Sequence, residues 1–162
     1  MTDQEYIQRL ENRIMDKMPK PKPKNFNMED YEFSICKAFN LYENYSGKAT
    51  HILSLKTRKR EVVYARFCAM TIRLMMGETQ MQIGKTYGHD HVTVLHAKKQ
   101  IFNSVFDEKH VLFKEIRAVF NVFLRKDFDV KFDSEKQKTI FLQNLQLMKN
   151  YNKEKFKHEK FI

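Results

Sequence analysis

An all-α, helix-turn-helix bundle is the fold class this 162-residue sequence predicts, and three observations predict it. Phe is abundant (14) while Gly (4) and Pro (3) are scarce, which disfavours turn-rich β folds and disordered chains. Apolar residues recur at helical spacing in several segments. Ser, Thr or Asp stands ahead of most of these segments, where helix N-caps belong.

Thr2 and Glu5 have capping-box spacing, and Ile7, Leu10, Ile14 and Met18 follow on one face, so residues 1–18 are read as an amphipathic helix. Pro19, Pro21 and Pro23 alternate with lysines, and proline fixes φ and removes the amide donor, so residues 19–26 are read as an extended basic linker. The domain boundary is expected there. Residues 27–125 form the expected main domain. Asn27 is its first candidate cap, with Tyr31, Ile35, Ala38, Phe39 and Tyr42 on one face, and the pattern breaks from Asn44 to Thr50.

The basic run Lys56, Thr57, Arg58, Lys59, Arg60 leads into a helix from Glu61 to Met76 that Gly77 stops; Met75 and Met76 read as core. Thr79 and Gln82 form a second capping-box pair opening a short helix, Met81 to Tyr87, and Gly88 supplies a turn. Asp90 then caps a helix expected to bury Val94, Leu95, Ile101, Phe102 and Val105, with His91, Val92 and Thr93 in its exposed first turn. Asp107 is the expected cap of the next helix, with Leu112, Ile116, Val119, Phe120 and Phe123 as its buried stripe. Residues 126–162 read as a basic helical extension, in which Ser134 and Gln137 precede Phe141, Leu145 and Met148.

Thirty Lys and Arg against twenty Asp and Glu give a net charge of +10, which favours polyanionic partners. Cys36 and Cys68 lie inside separate helices with no metal-type spacing and read as small core residues of a protein in a reducing cytoplasm. The N-terminus is too polar for a signal peptide, and no apolar run approaches the ~20 residues that span a bilayer. His89, Asp90, His91 and His96 lack the further ligands a metal site needs, and no nucleophile–base arrangement is apparent. Neither an enzyme nor a cofactor is expected.

A helix-turn-helix sets the first turn of its second helix against base edges in the major groove. His91, Val92 and Thr93 fit that role, and the basic run fits a grip on the backbone or on a narrow minor groove. These residues resemble the C-terminal DNA-binding domain of the bacterial chromosomal replication initiator, DnaA. The resemblance is carried by Arg58 to Arg66, by Ala69-Met70, by Ile83 to Gly88 and above all by Asp90-His91-Val92-Thr93-Val94-Leu95-His96-Ala97. It is specific over residues 53–103 and extends over about 28–124.

The resemblance implies a Trp-repressor-like helix-turn-helix fold that binds double-stranded DNA at a short A/T-rich box. It implies Asp90, His91 and Thr93 at the major groove, Arg58 in the minor groove, and Arg66, His96 and Lys98 as supporting contacts; Lys56 and Arg60 of the basic run, with His89 and Val92 at the turn, complete the expected DNA-binding residues. Val92 stands where the family commonly has Thr, Phe67 where Gln is common, and Gly88-His89 is one residue short of the family turn. The sequence contains no Gly-x-x-x-x-Gly-Lys-Ser/Thr phosphate loop, so a nucleoid-associated role in replication or transcription control without ATPase activity is expected. The alternative is an interaction module in which the terminal helices dock a replication protein or a second copy, with DNA binding non-specific or lost. The discriminating observation is separable function: deletion of residues 1–24 or 134–162 spares box binding if those ends serve partners, whereas Arg58→Ala or His91→Ala abolishes it.

Overall fold

The computed structural model describes residues 2–17 and 28–123, together with residues 135, 139, 142, 143 and 146. In chain order it contains α1 (Asp3–Lys17), α2 (Met28–Ala38), a 3-10 turn (Leu41–Glu43), α3 (Ala49–Leu53), α4 (Arg60–Met75), α5 (Gln80–Tyr87), α6 (His91–Ser104) and α7 (Phe113–Phe123). The described residues contain no strand. Met18, the 19–26 linker, the Asn27 cap and most of the C-terminal extension, Ser134, Gln137, Phe141, Leu145 and Met148 included, lie outside the described residues. The five described positions of that extension are helical and exposed.

Helix α4 is the hub, packing against α2, α3, α5, α6 and α7. Val62, Ala65, Cys68, Ala69, Met70, Ile72 and Met75 are buried on more than one side of it, which suits a central helix rather than an amphipathic surface one. Cys36 and Cys68 are free and buried, and burial pushes both thiols well up from the ordinary range.

Helix α1 shares the core of the helices that follow it. Ile7, Leu10 and Ile14 are buried in the same core as the rest, and α1 packs along α2 and α7. Lys114 of α7 reaches Asp3 at 3.3 Å and lies over the Tyr6 ring. The apolar face of α1 is therefore covered by α2 and α7.

The stretch read as a break contains a 3-10 turn and the short helix α3. A helix of five residues is too short to display a period, and Ile52 and Leu53 hold it by tertiary burial. Asn40 supplies the left-handed conformation, φ 58°, that ends α2. At the other end, α7 begins at Phe113, six residues after Asp107. The Asp107 carboxylate instead accepts from the Lys109 amide, and His110 Nδ1 accepts from Leu112 N just before the helix. Leu112, Ile116, Val119, Phe120 and Phe123 are all buried.

A buried polar network fixes how α5 sits on the bundle. Glu32 of α2, fully buried, accepts from Arg73 of α4 at 2.8 Å, from Tyr87 of α5 at 2.9 Å and from Thr50 of α3 at 3.3 Å. Arg73 also donates to the Tyr87 hydroxyl at 2.8 Å and pairs with Glu78 at 2.9 Å. Burial raises the Glu32 carboxyl more than Arg73 and Tyr87 lower it. Burial acts downward on Arg73, but Tyr87 and Glu32 outweigh it and hold the guanidinium charged. The two shifts point opposite ways for the pair. With both Glu32 oxygens occupied by donors, the geometry favours the ionised pair at neutral pH.

Candidate nucleic-acid interface

The turn between α5 and α6 is built by local chemistry. Thr79 Oγ1 accepts from Gln82 N at 3.2 Å while Gln82 Oε1 accepts from Thr79 N at 3.0 Å, a complete capping box opening α5. Gly88 closes α5 in the left-handed conformation, φ 71°. Asp90 opens α6, its carboxylate accepting from the backbone and hydroxyl of Thr93, both at 2.9 Å. These bonds hold the Asp90 carboxyl below its ordinary range. Gly84 lets the two helices meet: a Cβ there would lie 2.4 Å from the His89 carbonyl oxygen.

The basic loop is joined to this turn. Lys56 Nζ donates to the Gly88 carbonyl, and the Arg66 guanidinium donates to the carbonyls of Leu53 and Leu55 at 3.2 and 3.0 Å. Arg66, named above as a candidate contact, is 5% exposed. It clasps the loop from beneath, because the loop's carbonyls have no helical partners there and the guanidinium satisfies them. His89 is half-buried beside these cations; burial, then Arg66 and Lys56, lower its pKa, so its ring is neutral at pH 7.

The remaining expected site residues fall on two neighbouring surfaces. Lys56, Arg58 and Arg60 are exposed on the loop and the start of α4. Asp90, His91 and Val92 are exposed at the start of α6, with Val92 at 59%, while Thr93 is half-buried by its bonds to Asp90. One turn on, His96 is exposed edge-on to Phe67 at 5.8 Å, and Lys98 is half-buried with its ammonium over Phe102. Leu95, expected in the core, is 41% exposed. The cap at Asp90 sets the phase so that Val94, Ala97 and Ile101 face inward, which turns Leu95 outward beside Val92, His96, Lys99 and Asn103 along an open groove.

Sequence reasoning missed three parts of this arrangement: the clasping role of Arg66, the outward face of Leu95 and Lys99, and the Glu32–Arg73–Tyr87 network. A sharper count of the α6 period from the Asp90 cap finds Leu95. No spacing finds Glu32, whose partners lie 41 and 55 residues away.

Chemically, the surface offers an exposed helix N-terminus and a line of cations, a combination that favours phosphate. Among the described residues no group of three or more His, Cys, Asp or Glu is arranged to hold a metal ion, and no helix is long and apolar enough to cross a membrane. No curated protein and no solved structure matches the chain. The model of the bacterial DnaA protein helix-turn-helix family matches residues 36–101, from within α2 to within α6. That span holds the capping box, the Gly88 turn, the basic loop and the first turn of α6, so residues 36–101 form a helix-turn-helix unit similar to that of the bacterial DnaA protein, a kind of domain that binds double-stranded DNA.

Proposed function

We propose that the protein binds double-stranded DNA sequence-specifically at replication-initiator-type, A/T-rich boxes, and so acts in control of replication or transcription without ATP hydrolysis. The observation that carries this reading is the tether of the basic loop to the reading turn through Lys56 and Gly88, beside the exposed Asp90-His91-Val92 start of α6. With the two segments held together, a minor-groove contact and a major-groove contact can be made in one fixed register.

In this reading Asp90, His91 and Thr93 address base edges and the Val92 methyls meet a thymine methyl. Arg58 enters the minor groove, Lys56, Arg60 and Lys98 neutralise phosphates, and His96 offers a hydrogen bond to one. Arg66 acts from underneath, by holding the carbonyls of the loop, and His89 lies beside it next to the turn.

The test is binding to a labelled duplex carrying the initiator box and to a scrambled duplex of equal composition, across a salt series. The expected result is a box preference that survives near-physiological salt. His91→Ala should weaken box binding by about 1–3 kcal/mol, at least roughly fivefold, with little effect on the scrambled duplex. Arg58→Ala should weaken the box most when its minor groove is A/T-rich. Equal affinity of His91→Ala and wild type for the box overturns the assignment of α6 as the reading helix.

A further inference from the structure

The cationic surface does not stop at the basic loop. From Lys48 to Arg60 five of the residues are Lys or Arg and none is Asp or Glu. Lys48 is exposed at the start of α3, whose C-terminal end feeds into the loop. Lys59, also exposed, sets its ammonium 5.9 Å from the centre of the Tyr45 ring, which ties the loop to the segment ahead of α3. The nearest acid in sequence on this side is Glu43, on the 3-10 turn.

Lys59 follows Arg58 directly and sets its ammonium over Tyr45, three residues before Lys48. The 3-10 turn and α3 pack on α2, and α3 also on α4 and α5, whereas α6 packs on α4, α5 and α7. A duplex read by α6 and entered at its minor groove by Arg58 would, if continued past Arg58, run over Lys59, Tyr45 and Lys48. We propose that these three residues form a second contact surface, for the backbone of duplex DNA flanking the box on the minor-groove side. The chemistry is sequence-independent: two ammonium groups attract phosphates, and the ring holds one of them in place. A protein partner would call for an apolar centre in the patch, whereas the side chains here are an amphipathic ring and cations, continuous with the DNA-binding surface.

The inference rests on the proposed box-binding reading, and three duplexes separate the two. One carries the box with about one helical turn of flank, about ten base pairs, on both sides; the others are cut flush with the box on one side or the other. Wild type should lose affinity about three- to tenfold when the flank on the Arg58 side is removed, and little when the other is removed. Lys48→Gln, an exposed change with little risk to folding, should lower the slope of log affinity against log salt by about 1 on the fully flanked duplex and leave it unchanged on the duplex cut on the Arg58 side. Tyr45→Ala should follow Lys48→Gln. Lys109→Gln, the same charge change in the α6–α7 loop, should leave the difference between duplexes intact. A box preference with no dependence on either flank, or an equal loss from Lys48→Gln on all duplexes, overturns this second surface and leaves box reading standing. Loss of preference for the box over a scrambled duplex at every length overturns both.

Discussion

Gly84 shows how much the reading turn depends on single atoms. A methyl group at this position would press into the His89 carbonyl at 2.4 Å, and a backbone oxygen cannot rotate away as a side chain can. Gly84→Ala gains about 1 kcal/mol of helix propensity, yet the clash should outweigh it, for a net loss of about 1–3 kcal/mol in thermal or denaturant unfolding. Box affinity should fall with it, because α6 must shift. His89, next to that carbonyl, makes a pH-dependent contribution. Its pKa is lowered in the folded protein, so the stability it confers is full above the ordinary histidine range and is lost as pH falls through the unfolded value, about 6.5. Unfolding followed from pH 7.5 to 5.5 should show this decline, and His89→Gln should flatten part of it; an unchanged slope in that variant would assign the decline to other groups. At this scale sequence and structure agree best where partners are three residues apart. The Thr79–Gln82 box and the Asp90–Thr93 cap could be read directly from sequence, because a cap is a local event. Arg66 could not, since nothing local distinguishes an exposed arginine from one that turns inward to bind carbonyls.

Among elements, the orientation of α5 rests on Arg73 and Glu32. Removing the guanidinium leaves a buried carboxylate with only Tyr87 and Thr50 as donors, so Arg73→Met should cost about 3–5 kcal/mol near neutral pH. The folded Glu32 carboxyl is already raised, and losing Arg73 raises it further. A raised carboxyl costs stability as pH climbs through its folded value and costs none below the unfolded value, so the deficit of Arg73→Met should be larger at pH 7.5 than at pH 5. Equal deficits at both would show that losing Arg73 does not raise the Glu32 carboxyl further. The helices themselves were legible as amphipathic segments. Their rotation was less so: the α6 stripe accepted Leu95 as readily as Val94 until the Asp90 cap fixed the phase. The short α3 gave no period to read, and its existence depends on contacts made by Ile52 and Leu53 with residues elsewhere in the chain.

Across the whole molecule, net charge was the part of the function most easily read, and it carries the least detail. A surplus of ten positive charges predicts a polyanion, but only the tethered loop and turn give it a shape to grip. The amphipathic pattern of residues 1–18 announced a buried face without naming what buries it, and the answer, α2 and α7, changes the expected effect of truncation. Deleting residues 2–17 strips Ile7, Leu10 and Ile14 from the core, at about 1.5–3 kcal/mol each. That sum is comparable to the whole stability of a typical domain. The truncated protein should therefore melt far lower or fail to fold, and lose box binding as a result; a well-folded, box-binding truncation would show that α1 is dispensable to the core.

The docking of α1 on α7 also has a temporal meaning. Asp3 meets Lys114, and the Tyr31 hydroxyl donates to the Val119 carbonyl, so the first described helices close on the last. During synthesis the reading turn at 88–90 emerges from the ribosome before α7 does, and α1 has only α2 to pack on until its second partner, about a hundred residues downstream, follows. Contacts this remote in sequence slow folding because the loop they close must be ordered first. The nascent helix-turn-helix is thus exposed before the clasp that completes its core arrives, and competence to grip DNA should appear late, nearly together with the far end of the bundle.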